Sequence, residues 1–148
     1  MRLWHYQLLP ALPDSQLIAQ WRELNSIFKK QDKHILINYI YEYPKENLLW
    51  YTELVIRVMD RRGIKIKSVD NLVNYFKDTK FVEMNNPFPK HHNQRYMLQC
   101  FYNLQEKYDR GQKDFMERRY KALLWQMEYG GYIRLSKEEK ESEVKADE

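Results

Sequence analysis

Two groups near the start of the chain are equipped for covalent chemistry together, the α-amine of Met1 and the carboxylate of Glu23. A chain-terminal α-amine ordinarily titrates at about 8, against about 10.4 for lysine, so a useful fraction is an unprotonated nucleophile at neutral pH without any burial. A carboxylate held near such an amine is the minimum equipment for imine formation on an aldehyde or sugar carbon. Glu23 lies in the segment DSQLIAQWRELNSIF, residues 14–28, where Leu17, Trp21, Leu24 and Phe28 recur at helical spacing. Asp14 reads as the N-cap of that helix. Glu23 falls off the apolar stripe, on a strip shared with Ala19 and Ile27, and small Ala19 leaves room for a partner to approach. Arg22 projects about 100° further round. The residues alone leave open a plainer alternative, a solvated Arg-Glu pair on the polar face of an ordinary helix.

The elements that must position these groups read as helices. Residues 34–44, HILINYIYEYP, suit a helical or extended connector. Pro44 then stands at the first turn of a helix running to Arg62, with Leu48, Tyr51, Val55 and Val58 on one side and Gly63 as its stop. A short helix is expected over residues 69–76, and NNPFP, residues 85–89, breaks the chain. A long helix follows over residues 91–110, burying Met97, Phe101, Leu104 and Tyr108 and ending at Gly111. Another over residues 113–129 groups Met116, Tyr120, Leu123 and Met127 before Gly130 and Gly131. The expected fold is all-α, a compact single-domain helical bundle over residues 1–135, with no internal repeat.

At 148 residues, 43% apolar, the chain has the length and core material of one domain. Its aromatic content, with 12 Tyr and 4 Trp, exceeds what such a core needs, so some rings are expected on the surface, where they suit stacking on bases; tyrosine-rich cores and dimer interfaces use the same composition. From Ser136 onward three Lys stand against six acidic residues, a net of −3, so residues 1–135 carry +7 although the whole chain is +4, the sign expected for a nucleic-acid partner. Residues 136–148 read as a charged, disordered tail. The single cysteine, Cys100, permits no internal disulfide, and no apolar run has signal-peptide or membrane-span length, so a cytoplasmic protein without membrane attachment is expected. His5, His34, His91 and His92 give no metal-ligand spacing, and neither a metal nor a cofactor is expected.

Residues 14–28 resemble the first helix of the pyrimidine-dimer DNA glycosylases of the phage endonuclease V type, through Asp14, Leu17, Ala19, Trp21, Arg22, Glu23, Leu24 and Phe28 without a gap. LVIRVMDRRG, residues 54–63, is similar to the family's second helix, residues 89–107 to its third, and Trp125, Tyr129 and Gly130 to its aromatic C-terminal segment. The pattern departs at Ser26 and Asn103, where the type member has Arg, and at residues 111–124, a basic, aromatic insertion. The chain after His34 is shorter, leaving the role of that histidine unassigned.

The resemblance implies a DNA repair glycosylase with AP-lyase activity on double-stranded DNA carrying a lesion, working as a monomer without metal. Met1, retained because Arg2 is bulky, would supply the nucleophilic amine, and Glu23 would stabilise the cationic sugar. Met1 as a mere start residue, with the activity lost, remains the alternative for that position. Arg2, Arg22, Lys33 and Lys107 are the expected phosphate or lesion contacts. Lys29, Lys30, Arg118, Arg119 and Lys121 would add nonspecific attraction. Trp125, Tyr129 and Tyr132 are the stacking candidates, with core packing as their alternative. A noncatalytic helical module that binds nucleic acid or a protein partner is the competing reading of the whole chain.

Overall fold

Pro13 and Pro44 each precede an amphipathic run, and each opens a long helix. α1 spans Asp14–Lys30 and α2 Lys45–Arg61, with Pro13 and Pro44 as the respective N-cap residues. In α1 the apolar positions bury Leu17, Leu24, Ile27 and Phe28, and Lys29 and Lys30 occupy the last turn, where positive charge complements the helix dipole. In α2 the buried side holds Leu48, Tyr51, Val55 and Val58. Its end is a Schellman cap: Gly63, at φ 70°, donates to the Asp60 carbonyl and Ile64 donates to the Met59 carbonyl. This is a computed structural model, and it describes residues 1–139.

α3 is the short helix Asp70–Tyr75, α4 spans Gln94–Asp109 and α5 spans Glu117–Tyr129. Asn93 caps α4, its side-chain oxygen accepting from the Tyr96 N–H at 3.0 Å. Among the described residues no strand forms, so the fold is all-α. α1 packs on α2 and α3. The centre is a segment the spacing did not mark, a 3-10 helix over Tyr6–Ala11 that touches α2, α4 and α5 and buries Leu8, Leu9 and Ala11. The connector after His34 becomes a turn followed by a second 3-10 helix, Asn38–Glu42.

Two local expectations change. Asp14 is the first residue of α1, not its N-cap: its carboxylate accepts from Arg62 at 2.8 Å, while the Ser15 N–H, one of the helix's unpaired donors, is taken at 2.7 Å by the Asp114 carboxylate from far along the chain. Met116 is not in a buried row. Residues 112–114 are drawn to α1, so α5 starts only at Glu117, and Met116 becomes its exposed N-cap residue. The expected tail lies outside the described residues from position 140 onward. At its described start the Ser136 hydroxyl accepts from the Glu139 N–H at 3.2 Å, capping a helical turn. No helix among the described residues is long and apolar enough to cross a membrane.

Candidate active site at the N-terminal arm

Residues 1–5 run extended into the core, with Leu3, Trp4 and His5 buried and Met1 exposed at the mouth. A buried extended segment has no helix or sheet to satisfy its backbone, so side chains must do it. Gln20, 1% exposed on α1, uses its whole amide for this. Its Oε1 accepts from the Trp4 N–H at 2.8 Å, and its Nε2 donates to the Arg2 carbonyl at 3.1 Å and to Glu23 Oε2 at 3.2 Å. The Tyr51 hydroxyl, from α2, lies 2.7 Å from the Trp4 carbonyl and 2.9 Å from Gln20 Oε1, sharing its one proton between them. Tyr96, from α4, donates to the Leu3 carbonyl at 2.5 Å. Beyond the arm, the Tyr6 N–H donates to His92 Nδ1 at 3.1 Å, and His92 Nε2 meets the Tyr39 hydroxyl at 2.7 Å.

The clamp leads to Glu23, one helical turn beyond Gln20. Burial pushes the Glu23 carboxyl above its ordinary value, against the opposing pull of the Met1 α-amine, the Arg2 backbone amide and His34. The amine at the chain start and this half-buried carboxylate therefore share one electrostatic environment. A carboxyl tuned upward in this way holds and releases a proton nearer neutrality, as general acid–base work requires.

The other expected residues are distributed around this centre. Arg22 is exposed and turns away from Glu23 into a groove of about 460 Å³, also lined by Lys65, Lys67 and Asn71. Arg2 is half-buried, with its guanidinium 5.8 Å from the Trp4 ring and 6.0 Å from the Tyr96 ring and one nitrogen 4.0 Å from Cys100 Sγ. Lys33 is exposed above the Tyr41 ring at 4.5 Å. Lys107 stands at the far end of α4, whose following Gln112 docks on Ser15, roughly 12 Å of helix rise from Glu23. Trp125 and Tyr129 are exposed, 45% and 94%, one turn apart on α5, and not in the core. Tyr132 sits with Tyr129 around a cavity of about 470 Å³ beside Tyr6 and Gln7, so this aromatic surface flanks the segment that continues the arm. Of the extra basic residues, Arg119 donates to the Pro10 carbonyl at 3.2 Å and Lys121 pairs with Glu117 at 3.0 Å.

Gln20, Tyr51 and Tyr96 carry no signal in the spacing beyond positions that read as polar face or core. His34 is placed near Glu23 by the turn that follows α1. Among the described residues, no three His, Cys, Asp or Glu side chains gather in a way that would hold a metal ion.

The all-α fold brings the chain-terminal amine close enough to the half-buried Glu23 carboxylate to influence its titration. Residues 1–72, which include the arm, α1 and α2, match the family described as pyrimidine dimer DNA glycosylase. The family indicates a DNA glycosylase, with DNA as its substrate. Lys107, Trp125 and Tyr129 lie beyond the matched residues. None of the curated proteins and none of the solved structures matches the chain.

Proposed function

We propose that the chain is a DNA glycosylase with associated AP-lyase activity, acting on pyrimidine dimers in double-stranded DNA as a monomeric, metal-independent cytoplasmic enzyme. The unprotonated Met1 amine attacks C1′ of the damaged nucleotide as the C1′–N bond breaks and the base leaves with the bonding pair. The attacking nitrogen loses a proton, and the sugar ring opens to a protonated imine. That imine acidifies the C2′ proton, whose removal expels the 3′ phosphate by β-elimination, and water then hydrolyses the imine to restore the amine. Glu23, as carboxylate, stabilises the cationic sugar, and its upward-tuned carboxyl carries protons between these steps. Arg22 and Lys33 contact phosphates, as do Arg2 and Lys107 in supporting positions, and Trp125 and Tyr129 stack on bases around the lesion.

The observation that carries this reading is the clamp on the N-terminal arm, in which Gln20 binds the Arg2 carbonyl and Glu23 with the same nitrogen. Incubation with duplex DNA bearing a dimer or an abasic site, in the presence of borohydride, tests it. A covalent adduct is expected on both, mapping to Met1, abolished by acetylating the N-terminus and strongly reduced in Glu23→Gln. Absence of an adduct on either DNA would overturn the enzymatic reading in favour of a binding module.

A further inference from the structure

The turn that follows α1 carries a feature the proposed chemistry does not use. Ile35 is 86% exposed and Leu36 43%, two adjacent aliphatic side chains in water. Isolated exposed aliphatics are ordinary, but these stand on a braced tip. The His34 N–H donates to Asn38 Oδ1 at 2.7 Å, the Leu36 N–H to His34 Nδ1 at 3.1 Å, and the Ile37 and Asn38 N–H groups both to the His34 carbonyl at 2.9 Å. Ile37 is fully buried and roots the turn. Below it the Ser26 hydroxyl donates to the Asp32 carboxylate, and the Tyr41 hydroxyl donates to the Asp32 carbonyl at 2.6 Å. Ser26 lies one helical turn past Glu23, so the turn is fastened to the same side of α1 as the carboxylate. Exposed Lys29, Lys30 and Lys33 precede Ile35 closely along the chain.

We propose that Ile35 and Leu36 form a wedge that enters the base stack of duplex DNA beside the nucleotide under attack, with Lys29, Lys30 and Lys33 seated on the flanking phosphates. An exposed apolar pair that follows three exposed lysines in the chain complements a base step, which is apolar between its faces and anionic at its edges. Inserted aliphatic side chains unstack and kink a duplex in this way. The wedge occupies space vacated by a displaced nucleotide and so brings the sugar to the amine and Glu23. This inference rests on the proposed excision activity. Ile35 and Leu36 are positioning residues within it, touching no reacting atom.

The Ile35→Ser, Leu36→Ser double variant tests the wedge, because both side chains lie in water and the fold does not depend on them; unchanged circular dichroism and melting temperature check this. Borohydride trapping is compared on a duplex abasic site and on the same site in single-stranded DNA, which has no stack to open. The ratio of duplex to single-strand trapping is expected to fall by about tenfold. A second readout needs no chemistry: 2-aminopurine next to the lesion brightens on unstacking, and the wild-type chain brightens it while the variant does not. An unchanged ratio, or equal brightening by both proteins, overturns the wedge. If the wild type traps no DNA at all, the excision reading fails, while the fluorescence difference still decides the wedge.

Discussion

Gln20 makes four hydrogen bonds from one buried amide, so its loss is felt twice. In Gln20→Ala the buried Trp4 N–H and Arg2 carbonyl lose their partners, and an unpaired buried backbone group costs about 1–3 kcal/mol. The variant is expected to lose about 2–4 kcal/mol in urea unfolding and to trap abasic DNA at least about tenfold less than wild type, because the arm no longer ends at a fixed point. Glu23 makes the opposite prediction for stability. A carboxyl raised above its unfolded value of about 4.5 costs the fold energy wherever it is ionised, at pH above the raised value, and costs nothing below the unfolded one. Glu23→Gln is therefore expected to melt a few degrees higher at about pH 7, with the gain fading as pH falls toward about 4, while its trapping activity drops about 100-fold. The position of Glu23 off the apolar stripe was legible in the sequence because the helical spacing of its neighbours is regular. Gln20 was not: a glutamine three positions before it reads as surface, and only the buried arm lying across it gives it a role.

At the scale of elements, α1, α2 and α4 follow from the spacing of their apolar residues, and the ends marked by Pro44, Gly63 and Gly111 from those residues, whereas the start of α1 falls one residue from the expected cap. The 3-10 helix Tyr6–Ala11 escaped because a short apolar run interrupted by Pro10 has no periodicity, although it became the hub of the core. Its entrance is held by the stacked imidazoles of His5 and His92, 5.3 Å apart. Burial pulls His5 down to about 4 and His92 to about 2, so both stay neutral in the fold while the unfolded chain protonates them below about 6.5. Their stabilising contribution is complete above about pH 6.5 and is lost as pH falls, down to about 4 for His5 and about 2 for His92, by up to about 2.7 kcal/mol per pH unit while both titrate. His92→Phe should cost about 2–4 kcal/mol at about pH 8, through the lost bonds to Tyr6 and Tyr39, and should halve that acid slope in urea titrations. α5 makes an independent prediction. Tyr129, almost wholly in solvent, is expected to tolerate replacement by Ala within about 0.5 kcal/mol of stability, while duplex affinity measured by fluorescence anisotropy falls about fivefold or more.

Taken whole, the molecule binds its beginning to its end. The first fifteen residues reach His92, Tyr96, Asp114 and Gln126, so the part that matches the glycosylase family is completed by residues outside the match. This is why the placement of the arm could not be read from α1 alone: the partners that fix it are spread over residues 20–126, and their hydroxyls and ring nitrogens look like ordinary core until the chain folds. Each of these bonds grips a main-chain group, and none depends on the identity of the residue in front. On the proposed mechanism the socket acts as a ruler. It measures how many peptide units precede Trp4, so swapping Met1 for another small or flexible residue leaves the leading nitrogen where it was. One extra unit ahead of Trp4 overshoots by about 3.3 Å, and the lengthened protein should keep its melting temperature yet form no trapped adduct.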